Sequence, residues 1–246
     1  MGPMIVLTFI WLLYPLASVA EERDIESYFE LIKSDPVKLR HFLFKMPKGG
    51  DLHNHLSGSI YAESYLKWAA LDGKCADTDQ FLIVNGPCDA QKGQVPISDI
   101  YPGGASNVNE LLIQLVDKLS VRDYERRSTS GYQQFFSSFS GFLTAAQGRY
   151  GDMLSEVTIR AANQNIYYLE LMQSFGMQQA SLEALEFSDL ELGYGERLNH
   201  PAIRQIAEEA IQEVDKMERR RGELQGCSKA MVAQNTGCSV SVRYLA

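Results

Sequence analysis

Between Met46 and Ser59 the chain reads Met-Pro-Lys-Gly-Gly-Asp-Leu-His-Asn-His-Leu-Ser-Gly-Ser, and two of its four histidines fall there, one residue apart. In a β-strand, residues i and i+2 point to the same face. His53 and His55 therefore present two imidazoles side by side, with Leu52 and Leu56 facing the other way. That pair is half of a metal site. Beyond it, Ser57-Gly58-Ser59 removes side-chain bulk, so backbone can approach a ligand closely, and Ser59 is placed to cap a following helix. A strand that ends in ligands and turns straight into a helix is the build of an active site at the C-terminal rim of a (β/α)8 barrel. An isolated His-x-His is also common in ordinary strands, so the flanking residues carry the argument.

Those flanks resemble the first-strand signature of the adenosine deaminase family: Met-Pro-Lys, two small or apolar residues, then acidic-Leu-His-x-His-Leu-x-Gly. The resemblance implies a zinc-dependent purine aminohydrolase on a (β/α)8 barrel of the metal-dependent amidohydrolase type. His53 and His55 are then the first two zinc ligands, and Ser57 and Gly58 lie beside the substrate. Many relatives carry Asp, associated with holding the ribose hydroxyl, where this chain has Ser57. A serine can hydrogen-bond a sugar without charge, which leaves the nucleoside preference open.

In that family a third His and a Glu come from a His-Ala-Gly-Glu motif on strand five, another His from strand six, and paired Asp residues from strand eight. None of these motifs is present, and after His55 the only histidine is His200, beside Pro201 in a region read as an exposed loop. A catalytic zinc takes three protein ligands plus a water whose acidity it raises. The chemistry implied by the resemblance is attack of that activated water on C6 of adenosine or deoxyadenosine, giving inosine and ammonia. The sequence supplies the zinc-binding pair and part of a purine pocket. The acid/base Glu, His and Asp are expected downstream of Ala246, in a chain nearly twice as long, and this chain alone is expected to be incomplete and inactive. Two other readings stay open: a different metal-dependent amidohydrolase, and a non-catalytic secreted module that binds a nucleoside or a partner.

A net charge of −8 over 246 residues argues against nucleic acid, which needs a cationic surface to displace counterions. Small neutral substrates such as purine nucleosides remain compatible, and a homo-oligomer is not excluded. Residues 1–20 contain no charged side chain and end in Ala-Ser-Val-Ala before Glu21-Glu22-Arg23, the pattern of a secretory signal peptide. A membrane anchor is the competing reading, but Pro15 interrupts a span already short of the ~20 apolar residues a bilayer requires. Four cysteines in two near pairs suit an oxidising compartment, secreted or periplasmic. Cys75 with Cys88 and Cys227 with Cys238 is the preferred pairing, and four free thiols is the alternative.

Residues 21–45 show apolar positions at helical spacing and read as an N-terminal helical segment, with His41 at its surface. Residues 46–246 then form the partial barrel. Helices are expected from Ser59 to about Gly73, from Asn109, over the aromatic run Tyr132 to Leu143, over Met153 to Ala161, and from Ile203 to Met217. Strands are expected around Leu52, Tyr168 and Val242, three of the eight a closed barrel needs. Residues 73–106 are rich in Gly, Pro, Asp and Asn and read as an irregular insertion, similar to one that covers the substrate pocket in the secreted, growth-factor-like members of the family. Relatives also set apolar side chains from the aromatic run against the purine, which makes Phe135, Phe139 and Phe142 candidates. Ile166 to Met172 resembles the second barrel strand, with Met172 where relatives have Arg, so the partner of Glu170 is left open.

Overall fold

The computed structural model describes residues 24–101, 109–126, 128–186, 193–227 and 236–245. The leader read at residues 1–20 lies outside them, as do Arg127 and residues 102–106 of the insertion. The chain divides into two units, residues 1–46 and 47–246.

In the first unit, aspartates start both helices. Asp24 Oδ1 accepts the Glu26 N–H at 3.0 Å ahead of α1 (Ile25–Ile32), and Asp35 Oδ1 accepts the Val37 and Lys38 N–H groups at 3.1 Å ahead of α2 (Pro36–Lys45). Such caps satisfy amide donors that a helix start leaves free. The Phe42 ring lies 6.0 Å from Tyr28 and 5.8 Å from Phe29, joining the two helices. His41, on α2, is exposed.

The second unit is α/β. Its main sheet has three parallel strands in the order β1 (Gly49–His55), β5 (Ile166–Met172), β6 (Ser241–Leu245). Strand alternation gives the sheet two unlike faces. Leu169 and Leu171 point into the core, 1% and 0% exposed, together with the partly buried Val242 and Tyr244. There they join Met153, Leu154, Val157 and Ala161 of α6 (Tyr150–Asn163) and Met217 of α9 (Pro201–Gln225). Tyr168, Glu170 and Met172 alternate to the opposite face and are partly exposed. With β1 and β6 both at edges, the described residues form an open sheet and not a closed barrel.

α3 (Ala62–Leu71) and α5 (Gly131–Ala146) meet through Tyr65, which stacks on Phe142 with centroids 4.5 Å apart and planes 7° from parallel. Buried Gln134 reaches from α5 to the carbonyls of Asp117, Lys118 and Ser120 at 2.8–3.2 Å, tying down the end of α4 (Asn109–Lys118).

The insertion is not irregular over its described part. It folds into a small antiparallel sheet, order β3 (Leu82–Val84), β2 (Cys75–Asp77), β4 (Gln94–Pro96). Strands of three residues are too short to show a period of two, so composition alone suggested a loop. A Cys75–Cys88 disulfide closes this hairpin, and Cys227–Cys238 links the end of α9 to the approach to β6, each with Cα atoms 5.5 Å apart. The expected pairing therefore holds.

Two further helices are α7 (Met177–Glu186) and α8 (Tyr194–Leu198). His200 is the N-cap of α9, its Nδ1 accepting the Ala202 N–H at 3.4 Å, rather than an exposed loop residue. Among the described residues no helix is long and apolar enough to cross a membrane.

Candidate functional site

The glycine pair that opens β1 has two separate jobs. Gly49 sits at φ +73°, a conformation that side chains rarely adopt, and Gly50 makes room for Tyr168: a Cβ there would meet Tyr168 Cδ1 at 3.0 Å. Lys48 fixes the entry to the strand, its Nζ donating to the Gln164 carbonyl at 2.8 Å and its N–H to Asn165 at 2.9 Å.

β1 then departs from plain alternation. Asp51 pairs with Leu169 and Asn54 with Leu171, so three steps on β1 span two on β5: a one-residue bulge. Asp51 organises it. Oδ1 accepts the His53 N–H at 3.2 Å, and Oδ2 accepts the Asn54 amide at 2.7 Å. The bulge overturns one expectation. Leu56 is fully buried, but Leu52 is 62% exposed instead of packed behind the histidines.

His53 and His55 stand as neighbours, ring centroids 5.4 Å apart and planes inclined at 65°. Both are exposed, and His55 lies opposite Met172 in register. The separation can be tested against a shared ion. An imidazole nitrogen sits about 2.0–2.1 Å from zinc with its ring centroid roughly 1.1 Å beyond, so two ligands at a tetrahedral angle have centroids about 5.2 Å apart. The centroid separation of 5.4 Å is close to that value. Among the described residues, no group of three or more His, Cys, Asp or Glu side chains is placed to hold a metal.

After His55 the chain turns through Ser57–Ser59, and neighbouring helices clamp that turn. The Tyr65 hydroxyl donates to the Ser57 carbonyl at 2.7 Å, Arg160 donates to the Ser59 carbonyl, and Tyr61 N–H donates to Glu156 Oε1 at 3.1 Å. Arg160 also lies 4.6 Å over the Tyr61 ring. Ser59 does not cap α3 as expected. Its hydroxyl points back to the Asn54 side chain and the His55 carbonyl, bracing the histidine strand, and α3 begins after Tyr61 with no side-chain cap.

Gly58 faces Phe139. A Cβ at Gly58 would meet Phe139 Cζ at 3.0 Å and His55 Cβ at 3.6 Å, so the ring rests on the turn beside the histidine. All three candidate phenylalanines line a cavity of about 210 Å³ that adjoins Gly58 and Ser59: Phe142 is buried in the core, while Phe135 and Phe139, 5.2 Å apart, are more exposed. Arg122 reaches Glu63 at 2.7 Å and closes one side of that cavity.

Sequence reasoning missed the rest of this sheet face. Tyr168 donates to Glu170 Oε1 at 2.9 Å, which holds the phenol above its ordinary titration range, and Arg243 stands opposite Glu170 in register on β6. Glu170 thus accepts from a phenol on its own strand and has Arg243 as its register partner on the next. Alternation on β5 could have flagged Tyr168; Arg243 lies 73 positions from Glu170, and only strand pairing brings them together.

Compared with known families and with curated proteins, the chain matches no family model and no curated protein.

Proposed function

We propose that this chain is the metal-binding and purine-facing portion of a secreted, adenosine deaminase-like zinc hydrolase, its three parallel strands being part of a (β/α)8 barrel. The observation that carries the reading is the His53–His55 pair at the spacing of a shared ion, at the end of a parallel strand and directly beside the Gly58 turn. Two disulfides and a leader-like first segment support passage through an oxidising compartment.

In this reading His53 and His55 would hold zinc, which when bound supplies Lewis acidity that raises the acidity of the attacking water. The chain's own residues do the positioning. Gly58 makes room for the Phe139 ring beside His55, Phe139 and Phe135 offer an apolar wall to the purine, and Ser57 offers an uncharged hydroxyl to the sugar. Tyr168, Glu170 and Arg243 make the floor polar. No general acid for the ring nitrogen is assigned among the described residues, and the reading concerns nucleoside binding.

Equilibrium dialysis of adenosine with and without zinc, paired with the absorbance change of conversion to inosine, tests this. Expected are zinc-dependent binding that is lost in His53→Ala and weakened in Phe139→Ala, and no turnover. Failure to bind adenosine with zinc present would remove the purine reading. Turnover abolished by His53→Ala would show the chain to be catalytically complete.

A further inference from the structure

Arg160 lies on α6, 101 residues beyond the turn that it grips. Its guanidinium makes three contacts at once: Nη2 donates to the Ser59 carbonyl, Nη1 pairs with Glu156 Oε1 at 3.3 Å, and Cζ sits 4.6 Å over the Tyr61 ring. The same Glu156 oxygen accepts the Tyr61 N–H at 3.1 Å. Residues 59 and 61 are thus held by one turn of α6, and both holding side chains are only 20% exposed, where salt screens such bonds little. From Ser59 the bonds run on to the histidines. The Ser59 hydroxyl meets the His55 carbonyl at 2.8 Å and the Asn54 side chain, Asn54 Nδ2 donates to Asp51 Oδ2 at 2.7 Å, and Asp51 Oδ1 takes the His53 N–H at 3.2 Å.

We infer that Arg160 is a positioning residue for the metal-binding pair: by fixing the Ser59 carbonyl it aims the Ser59 hydroxyl back at β1, and so sets how His53 and His55 stand relative to each other. The inference rests on the metal-binding reading of those histidines. The bulge between Asp51 and Asn54 interrupts the strand ladder just where the histidines stand, so their placement depends on side-chain bonds such as these. The residue type matters too. A guanidinium is a planar fork of five N–H donors, which lets one side chain serve a carbonyl, a carboxylate and an aromatic face together. A lysine ammonium is a point charge that keeps the attraction to Glu156 and loses the forked, flat contact.

The test is zinc affinity by competition against a chromophoric chelator, with a thermal melt of each sample. It compares the unaltered chain with Arg160→Ala, Arg160→Lys, Ser59→Ala, the Arg160→Ala/Ser59→Ala double variant, His53→Ala and, as a destabilised control on the same helix, Gly151→Ala. Expected are a loss of about tenfold or more for Arg160→Ala and a smaller loss for Arg160→Lys. The double variant is expected to bind no more weakly than the weaker single one, since both residues act along one path. Gly151→Ala is expected to melt lower and still bind zinc as the unaltered chain does. Unchanged affinity in Arg160→Ala beside a loss in His53→Ala would overturn the positioning role and leave the metal reading intact. A matching loss in Gly151→Ala, or additive losses in the double variant, would reduce the effect to general destabilisation and overturn the role as well. If Arg160→Ala fails to fold, Arg160→Lys decides, and affinity equal to that of the unaltered chain overturns the role. Unchanged affinity in His53→Ala would overturn the metal reading itself and this role with it.

Discussion

The Asn54 amide donates to the Asp51 carboxylate across the bulge in β1, Nδ2 to Oδ2 at 2.7 Å, while the other oxygen of Asp51 takes the His53 N–H. One carboxylate thus sets the backbone between the two histidines and orients the strand that carries them. Asp51→Ala removes both bonds at a partly exposed position, where each is worth about 1 kcal/mol. The fold survives. Metal affinity suffers more, because groups that orient ligands typically carry about 10- to 100-fold in affinity. Zinc competition titration and a thermal melt on the same sample are expected to separate the two effects: a loss of at least about tenfold in affinity with a small fall in Tm.

Gly151 is the close-approach point between α6 and α9. A Cβ there would run into Arg220 Cβ and Cγ and come within 3.0 Å of the Met217 carbonyl oxygen. Neither a stem carbon nor backbone moves cheaply, so Gly151→Ala is expected to destabilise by about 1–3 kcal/mol, as overpacking does. Gly58→Ala is the contrast. Its added methyl meets Phe139 Cζ at 3.0 Å, but that ring is half-buried and can give way. Denaturant midpoints of the two variants should differ, with Gly151→Ala the lower.

How much of this was legible in the sequence depends on how local the determinant is. The histidine strand, the α9 stripe from Ile203 to Met217 and the two cysteine pairs were readable, because each rests on spacing within one segment. The bulge at Asp51 was not: it depends on a side chain hydrogen-bonding its own backbone two residues on, and it exposed Leu52 against simple alternation. The pairing of Glu170 with Arg243 was hidden because it arises from strand register. The small sheet of the insertion was hidden because three-residue strands carry no period. His200 was misplaced because Pro201 also marks the first turn of a helix, which makes the residue before it a cap.

Two buried phenols set an upper pH limit on the fold. Burial pushes Tyr65 well above the ordinary phenol range, with the negative charge of Glu156 adding to it; burial does the same to Tyr244, which also donates to Glu218. A group whose folded pKa is raised contributes stability that is fully present below its unfolded pKa, about 10 for tyrosine, and loses it as pH climbs from there towards the folded value. Urea midpoints are therefore expected to be flat in these two groups between pH 7 and 9 and to fall past about pH 10. Tyr244→Phe should reduce the slope of that fall, since it removes one of the two protons held by the native state.

The account stands on His53 and His55 acting together on one ion. Zinc affinity measured by chelator competition for the unaltered chain, His53→Ala, His55→Ala and, as a control, the exposed α2 histidine variant His41→Ala tests it most directly. The predicted result is loss of at least about tenfold in affinity for either strand substitution and none for His41→Ala. Equal affinity in all four proteins would contradict it.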